Sequence, residues 1–177
     1  MSVCGTDVVG RLEREFSGVE FSPGPLMARE GGEEQICVRV GADRLVEVLR
    51  FLREEPGLAF DQLCHLTCVD YLDYPGATDR FGVVYSLLSV EHGHRIWVKC
   101  FVNDPIPTVP TVTGIWAGAN WMEREVWDMF GVRFEGHRDL RRILTWEGFK
   151  AHPLRKDYPL RGRGEREDYR VVGRESA

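Results

Sequence analysis

Apolar residues recur along this chain with two periods, close to 3.6 and close to 2, and the changes from one to the other mark its elements. Val8, Val9, Leu12 and Phe16 fall on one side of a short helix with Glu and Arg opposite, and Asp7 stands where a capping carboxylate belongs. Residues 23–32, with two prolines and three glycines, read as a loop. Ile36, Val38 and Val40 then alternate with Gln35, Cys37 and Arg39, the period of a half-buried strand. From 43 to 55 the positions Leu45, Val46, Val48, Leu49 and Leu52 return to helical spacing, and Pro56-Gly57 supplies the stop. Residues 60–74 read as a short helical turn started at Asp61, running into an extended segment around 66–71. The runs 81–90 and 95–102, apolar, β-branched and aromatic, are joined by Glu91-His92-Gly93-His94 and predict an antiparallel hairpin.

Pro105, Pro107 and Pro110 break the sheet pattern. Asn120 is placed to cap a further helix, with Glu123 three residues on completing a capping-box pair, and Met122, Val126, Met129 and Phe130 share one face. Gly131 ends that helix, since a residue without Cβ takes the left-handed conformation at no steric cost. The order is β-α-β-β-β-α, which predicts an α+β fold in two layers, a sheet with helices on one face, with ferredoxin-like the nearest named plan. Three parts are expected: an N-terminal helix and loop over 1–33, an α+β core over 34–146, and an extended partner-binding tail over 147–177. The tail has few apolar residues, two prolines and many charges, so it is expected to need a partner or stay mobile, and a chain ending at Trp146 is expected to keep its fold.

Length and composition narrow this picture. At 177 residues, 43% hydrophobic and 29% charged, the chain suits one folded domain with extensions and not a disordered polymer. No run of eighteen apolar residues occurs and residues 1–11 lack a basic then apolar leader pattern, so neither a membrane span nor a secretory signal is predicted and the cytoplasm is the expected compartment. The cysteines Cys4, Cys37, Cys64, Cys68 and Cys100 are odd in number and sit among apolar residues, which predicts reduced thiols. The net charge of −5 is uneven, because residues 148–177 hold eight Lys or Arg against five Asp or Glu. That leaves an acidic body with a basic tail, which gives no general attraction to nucleic acid or an anionic bilayer.

Recognisable redox or hydrolytic chemistry is not written in the chain. No Gly-x-Gly-x-x-Gly follows a predicted strand, no phosphate loop is present, and no Ser stands in a Gly-x-Ser-x-Gly elbow. Cys64 and Cys68 are the only closely spaced thiols, short of the four an iron-sulfur cluster wants. A zinc site would have to be assembled from Cys64, His65, Cys68, His92 and His94, without the usual two- or three-residue ligand spacings, and a buried apolar cysteine pair explains Cys64 and Cys68 more simply. An RNA-binding module is disfavoured by the acidic body and by the lack of the aromatic strand motif.

Two blocks carry a resemblance. Glu123-Arg124-Glu125, Asp128-Met129-Phe130, His137, Arg141, Arg142 and Ile143-Leu144 form the first, and His152-Pro153-Leu154-Arg155-Lys156-Asp157-Tyr158-Pro159 the second. Together they resemble the C-subunit family of bacterial NADH-quinone oxidoreductase, the 30 kDa subunit family of respiratory complex I. Taken alone, the first block is a charged helix face whose surface ion pairs contribute only a few tenths of a kcal/mol each. The resemblance instead implies that Glu123, Arg124, Glu125, Asp128, His137, Arg141, Arg142, His152, Arg155, Lys156 and Asp157 anchor a turn or meet other subunits. It also implies a non-catalytic structural subunit of the peripheral arm, with no cofactor in this chain, FMN and iron-sulfur clusters on neighbours, and electrons passing from NADH to quinone. Implied partners are the D subunit and the cluster-bearing B and I subunits, on the cytoplasmic side of the inner membrane. An equivalent subunit of a related membrane-bound hydrogenase and a stand-alone Cys/His metal enzyme are the alternatives.

Overall fold

The computed structural model describes residues 5–16 and 36–164. Cys4, the loop expected over 23–32, Gln35 and the end of the tail beyond 164 lie outside the described residues. The elements in chain order are α1 (Gly5–Glu15), β1 (Ile36–Arg39), α2 (Leu45–Glu54), β2 (Gln62–Asp70), β3 (Phe81–Leu88), β4 (Arg95–Val102), β5 (Thr108–Pro110), α3 (Ala119–Phe130) and β6 (Arg133–Glu135).

Strands β1 to β4 make one sheet in the order β1-β4-β3-β2, with β1 parallel to β4 and the other pairs antiparallel. The register explains which side chains become the core. Leu66 lies opposite Tyr85, Tyr85 opposite Val98 and Val98 opposite Val38, so one row of side chains crosses all four strands on a single face. Cys68, Val83 and Cys100 form the next row, and all of these residues are buried. Val8, Leu12 and Phe16 of α1, Leu45, Val48, Leu49 and Leu52 of α2, and Val126, Met129 and Phe130 of α3 join them in one hydrophobic core. Helical period on one side and strand period on the other therefore meet in a two-layer α+β body, as expected.

The other face of β3 is covered as well. A Cβ on Gly82 would lie 2.9 Å from the Tyr71 ring and 3.1 Å from the Phe101 ring, so the missing side chain is what lets those aromatics lie across the strand.

Several local expectations are corrected. The ferredoxin-like plan is not confirmed: that plan alternates β-α-β-β-α-β, whereas here four consecutive strands, β2 to β5, follow α2, and β5 pairs with β6 after α3 in a separate two-stranded sheet. The proline cluster does not end strand structure, because β5 pairs in parallel with β6, Thr108 opposite Arg133 and Pro110 opposite Glu135. Asp61 starts no helical turn. Its carboxylate accepts the Val90 N–H at 3.0 Å across the sheet, and β2 follows at once with a bulge between Leu63 and His65. Pairing with β3 over nine residues outweighs the weak helical pattern there. Helix α1 begins at Gly5, ahead of Asp7. Helix α3 begins at Ala119 with Gly118 at its N-cap and no side-chain cap, so Asn120 and Glu123 form no capping box. Gly131 closes α3 in the left-handed region, φ 79°, as predicted.

Candidate functional site

An α-helix leaves its last four carbonyls without intrahelical donors. At the end of α3 the Trp127 carbonyl takes the Gly131 N–H at 2.9 Å, and the next three are taken by the C-terminal segment. His152 donates from Nδ1 to the Asp128 carbonyl at 3.0 Å, the Leu154 N–H donates to Met129 at 3.0 Å, and Arg155 Nε donates to Phe130 at 2.6 Å. The His-Pro-Leu-Arg block is thus the cap of α3. Its Arg155, together with Arg142 from the preceding segment, puts two cations at the negative end of the helix dipole. Gly131 serves this twice, because a Cβ there would sit 2.7 Å from the His152 ring as well as strain the backbone.

Two buried carboxylates fasten the rest. Asp128, fully buried, receives the N–H groups of Ile143, Leu144 and Thr145 at 3.0, 2.8 and 2.9 Å, the Thr145 hydroxyl, and Arg142 at 2.6 Å. Burial alone would raise its pKa, but the Thr145 hydroxyl and the three N–H groups prevail and hold it at about 2. Asp70, at the end of β2, accepts from Arg80 at 3.2 Å, from the Lys156 N–H at 2.9 Å and from the Leu72 N–H at 3.0 Å. Its pKa is lowered too: burial opposes, and the Arg80 guanidinium followed by the two N–H groups outweighs it. Arg80 also pairs with Asp157 at 2.9 Å and with Asp104 at 2.5 Å, and Arg155 pairs with Asp104 at 3.4 Å. The Arg80 and Arg155 guanidinium groups both stack on the Phe81 ring, at 4.8 and 4.9 Å from its centre.

The first block runs alongside α3. Arg124, nearly buried under Trp121, donates to the carbonyls of Arg141 and Arg142 at 3.1 and 3.0 Å. His137 accepts the Asp139 N–H at Nδ1, which leaves its Nε2–H for the Asn120 carbonyl at 3.3 Å. Arg141 pairs with Asp139 at the surface, and Glu125 is exposed. Burial pushes the His152 pKa down, against its bond to Asp128. Glu123 is buried and bonds the Val112 N–H and the Thr111 hydroxyl.

Of the motif residues, then, Arg124, Asp128, Arg142, His152 and Arg155 act within the chain, as does the Lys156 backbone, while Glu125, Arg141 and the Lys156 side chain face outward. Residues 147–164 are strapped onto this chain's own core, so a chain ending at Trp146 would lose three carbonyl caps of α3 and one ligand of Asp70. Asp70, Arg80 and Asp104, which hold the strap from the far side, were missed in the sequence. The only signal for them was four aspartates and two arginines scattered over 70–104. The residues considered for zinc do not converge: Cys68 points into the core, His92 and His94 stack on each other in the hairpin, and among the described residues no group of three or more His, Cys, Asp or Glu could hold a metal ion.

The model of the family described as respiratory-chain NADH dehydrogenase, 30 Kd subunit, matches residues 38–164. The C 2 subunit of NADH-quinone oxidoreductase from Rhizobium meliloti (strain 1021) is 54% identical over 123 residues, covering 70% of this chain and 65% of the relative. The chain therefore spans just under two thirds of that protein. Among solved structures, the trypsin-resistant fragment (1-134) of Nqo5 is 33% identical with a TM-score of 0.61, over 75% of this chain and 99% of the fragment. A chain of the membrane-bound sulfane sulfur reductase, an archaeal respiratory membrane complex, is 25% identical with a TM-score of 0.66, over 95% of this chain and 99% of that one.

Proposed function

The chain belongs to the respiratory-chain NADH dehydrogenase 30 kDa subunit family, and from that membership we propose that it is a structural subunit in the peripheral arm of a proton-translocating NADH-quinone oxidoreductase. In this reading FMN and iron-sulfur clusters on neighbouring subunits carry electrons from NADH to quinone, and this chain contributes shape, with no active site. Its neighbours are the D subunit and the cluster-bearing B and I subunits, on the cytoplasmic face of the inner membrane. No helix among the described residues is long and apolar enough to cross a membrane.

One observation carries the proposal. The motif's inward groups build a strap, and the strap's outward side carries exposed Leu144, Leu154 and Leu160 beside exposed Lys156, Arg161 and Arg163. Exposed leucines interleaved with cations fit an apolar, acidic protein surface. The experiment is affinity purification of the tagged chain from its native membrane, wild type against Leu154→Asp/Leu160→Asp. The wild type is expected to bring down D, B and I, and the double variant to lose them while keeping its unfolding midpoint. Equal recovery of partners by both chains would overturn the assignment of this edge. Flavin, iron or NADH oxidation in the purified chain alone would overturn the structural role.

A second reading, the equivalent subunit of a related membrane-bound assembly, is favoured by the match to the archaeal reductase, which covers 95% of this chain. The identity of the co-purified partners separates the two.

A further inference from the structure

Glu123 stands apart from the other buried carboxylates. Asp128 and Asp70 each hold a guanidinium, Arg142 at 2.6 Å and Arg80 at 3.2 Å. Glu123 is fully buried, yet its hydrogen bonds are to neutral groups: the Val112 N–H at 2.7 Å and the Thr111 hydroxyl at 2.6 Å. The Thr111 hydroxyl lies 3.0 Å from the Thr113 hydroxyl, and both threonines are half-buried. A carboxyl and two hydroxyls thus form an unbroken line from the core to the loop between β5 and α3.

The described titratable groups around it supply no counter-ion. From β3 comes the Tyr85 phenol, fully buried and without a hydrogen-bond partner among the described residues. From β2 come Cys68 and Asp70, the latter held by Arg80, and from β4 comes Cys100. Arg133 and Glu135 of β6 are exposed. On α3 itself Arg124 is turned to the carbonyls of 141 and 142, and Asp128 to Arg142 and residues 143–145. A buried charge without a counter-ion is strongly disfavoured, so the neutral acid is the favoured form inside. Burial accordingly pushes the Glu123 pKa up to about 7, with the Thr111 hydroxyl and the Val112 N–H pulling the other way.

We propose that Glu123 is a buried proton-binding site whose carboxyl exchanges its proton with solvent through the Thr111–Thr113 hydroxyl pair. When the acid is neutral, Oε2–H donates to Thr111 Oγ1, and the Thr111 hydrogen is free to donate to Thr113. On ionisation the Glu123 proton passes to Thr111 Oγ1, the Thr111 hydrogen passes to Thr113, and a Thr113 hydrogen leaves to water. The two hydroxyls then point back toward the carboxylate, and one proton has left.

The sign follows from linkage. The folded pKa lies above the unfolded value of 4.5, so between 4.5 and about 7 the folded chain binds more protons than the unfolded one. Stability from this group is fully present below that window and falls as pH rises through it, by up to about tenfold in the folding constant per pH unit, then levels off. Asp128 contributes the opposite slope at lower pH and His152 contributes it up to its unfolded value of 6.5, inside the same window, so the reading is the difference between the wild type and Glu123→Gln, which cannot ionise.

The test uses the full chain with carbon-13 in its glutamate carboxyls. Infrared spectra are expected to show a protonated carboxyl in the wild type at about pH 6 that is lost by about pH 8 and is absent from Glu123→Gln. Thr111→Val, which removes a donor to the ionised form, is expected to move the loss upward in pH. Urea unfolding of the wild type is expected to weaken relative to Glu123→Gln across the same interval. A protonated band gone by about pH 5, or wild-type and Gln stability profiles that run parallel, overturns the proposal. Should the Gln variant fail to fold, the infrared titration of the wild type alone supports or overturns it.

Discussion

Replacing Asp128 by Ala removes the acceptor of three backbone N–H groups and the counter-ion of Arg142, whose side chain is 10% exposed. Breaking a buried pair by deleting one partner costs about 3–5 kcal/mol, because the other charge is left without compensation. Each orphaned N–H adds up to about 1–3 kcal/mol, but Ile143 and Thr145 are only half-buried and Leu144 is exposed, so water recovers most of that. The expected loss is about 3–5 kcal/mol against a typical domain stability of about 5–15 kcal/mol. An independent route gives a consistent figure for the charge alone. Depression of the carboxyl from 3.8 to about 2 contributes about 2.5 kcal/mol. That part is present above the unfolded value and is lost as pH falls toward 2, so Asp128→Asn should flatten the acid limb of the stability curve. The assay is urea unfolding with amide exchange at residues 143–145. Because the hydrogen bonds that Asp128 organises lie at the end of α3, exchange should rise at 143–145 first while the amides of β3 and β4 stay protected. An Ala variant with a midpoint shift worth less than about 0.5 kcal/mol and unchanged protection at 143–145 would refute the reasoning.

Gly131→Ala is expected to lose more than about 2 kcal/mol, since a left-handed non-glycine residue costs about 1–2 kcal/mol and the methyl must also displace the His152 ring from its carbonyl. Thermal unfolding, with the His152 ring signals as a local reporter, checks it, and a shift matched by Gly164→Ala, whose Cβ meets nothing, would show that ring contact is irrelevant. Arg80→Met should cost about 3–5 kcal/mol by stranding Asp70, whose side chain is fully buried. Adding Asp70→Asn should recover part of that loss in a double-mutant cycle, and strictly additive losses would mean that the pair is not what holds the strap.

Elements whose burial follows one period were legible in the sequence. Val8, Leu12 and Phe16, the Leu45–Leu52 helix and the 81–102 hairpin each bury the face their spacing predicted, and Gly131 stops α3 where predicted. The failures are also systematic. Strands β5 and β6 have three residues each, too few to show a period, and their partners lie about 25 residues apart in parallel. Residues 61–65 were misread because a bulge between Leu63 and His65 breaks the alternation by which strands are recognised. Glu123 stands at a capping-box spacing, but its place on the inward face of α3 turned it to Val112 and Thr111 instead.

The strap was illegible for a different reason. Composition measures the apolar area a segment can bury, and by that measure residues 147–164 cannot fold alone. What holds residues 142–164 is largely polar: residues 142–145 deliver N–H groups and a cation to the Asp128 carboxylate, and residues 152–156 deliver donors to the three helix-end carbonyls and to Asp70, each already fixed in place by an apolar core. Such a segment needs only one well-buried acceptor at each end, and Asp128 and Asp70 look like ordinary surface charges until α3 and β2 are known to be packed. The family resemblance singled out residues of this segment but could not say whether they face in or out. Because Asp128, Arg142, His152 and Arg155 are consumed inside, substitutions there should weaken assembly only by deforming the strap, whereas substitutions at Leu154 or Leu160 should weaken it with the fold intact. The two classes of variant therefore separate holding the shape from making the contact, which possession of a family motif by itself never does.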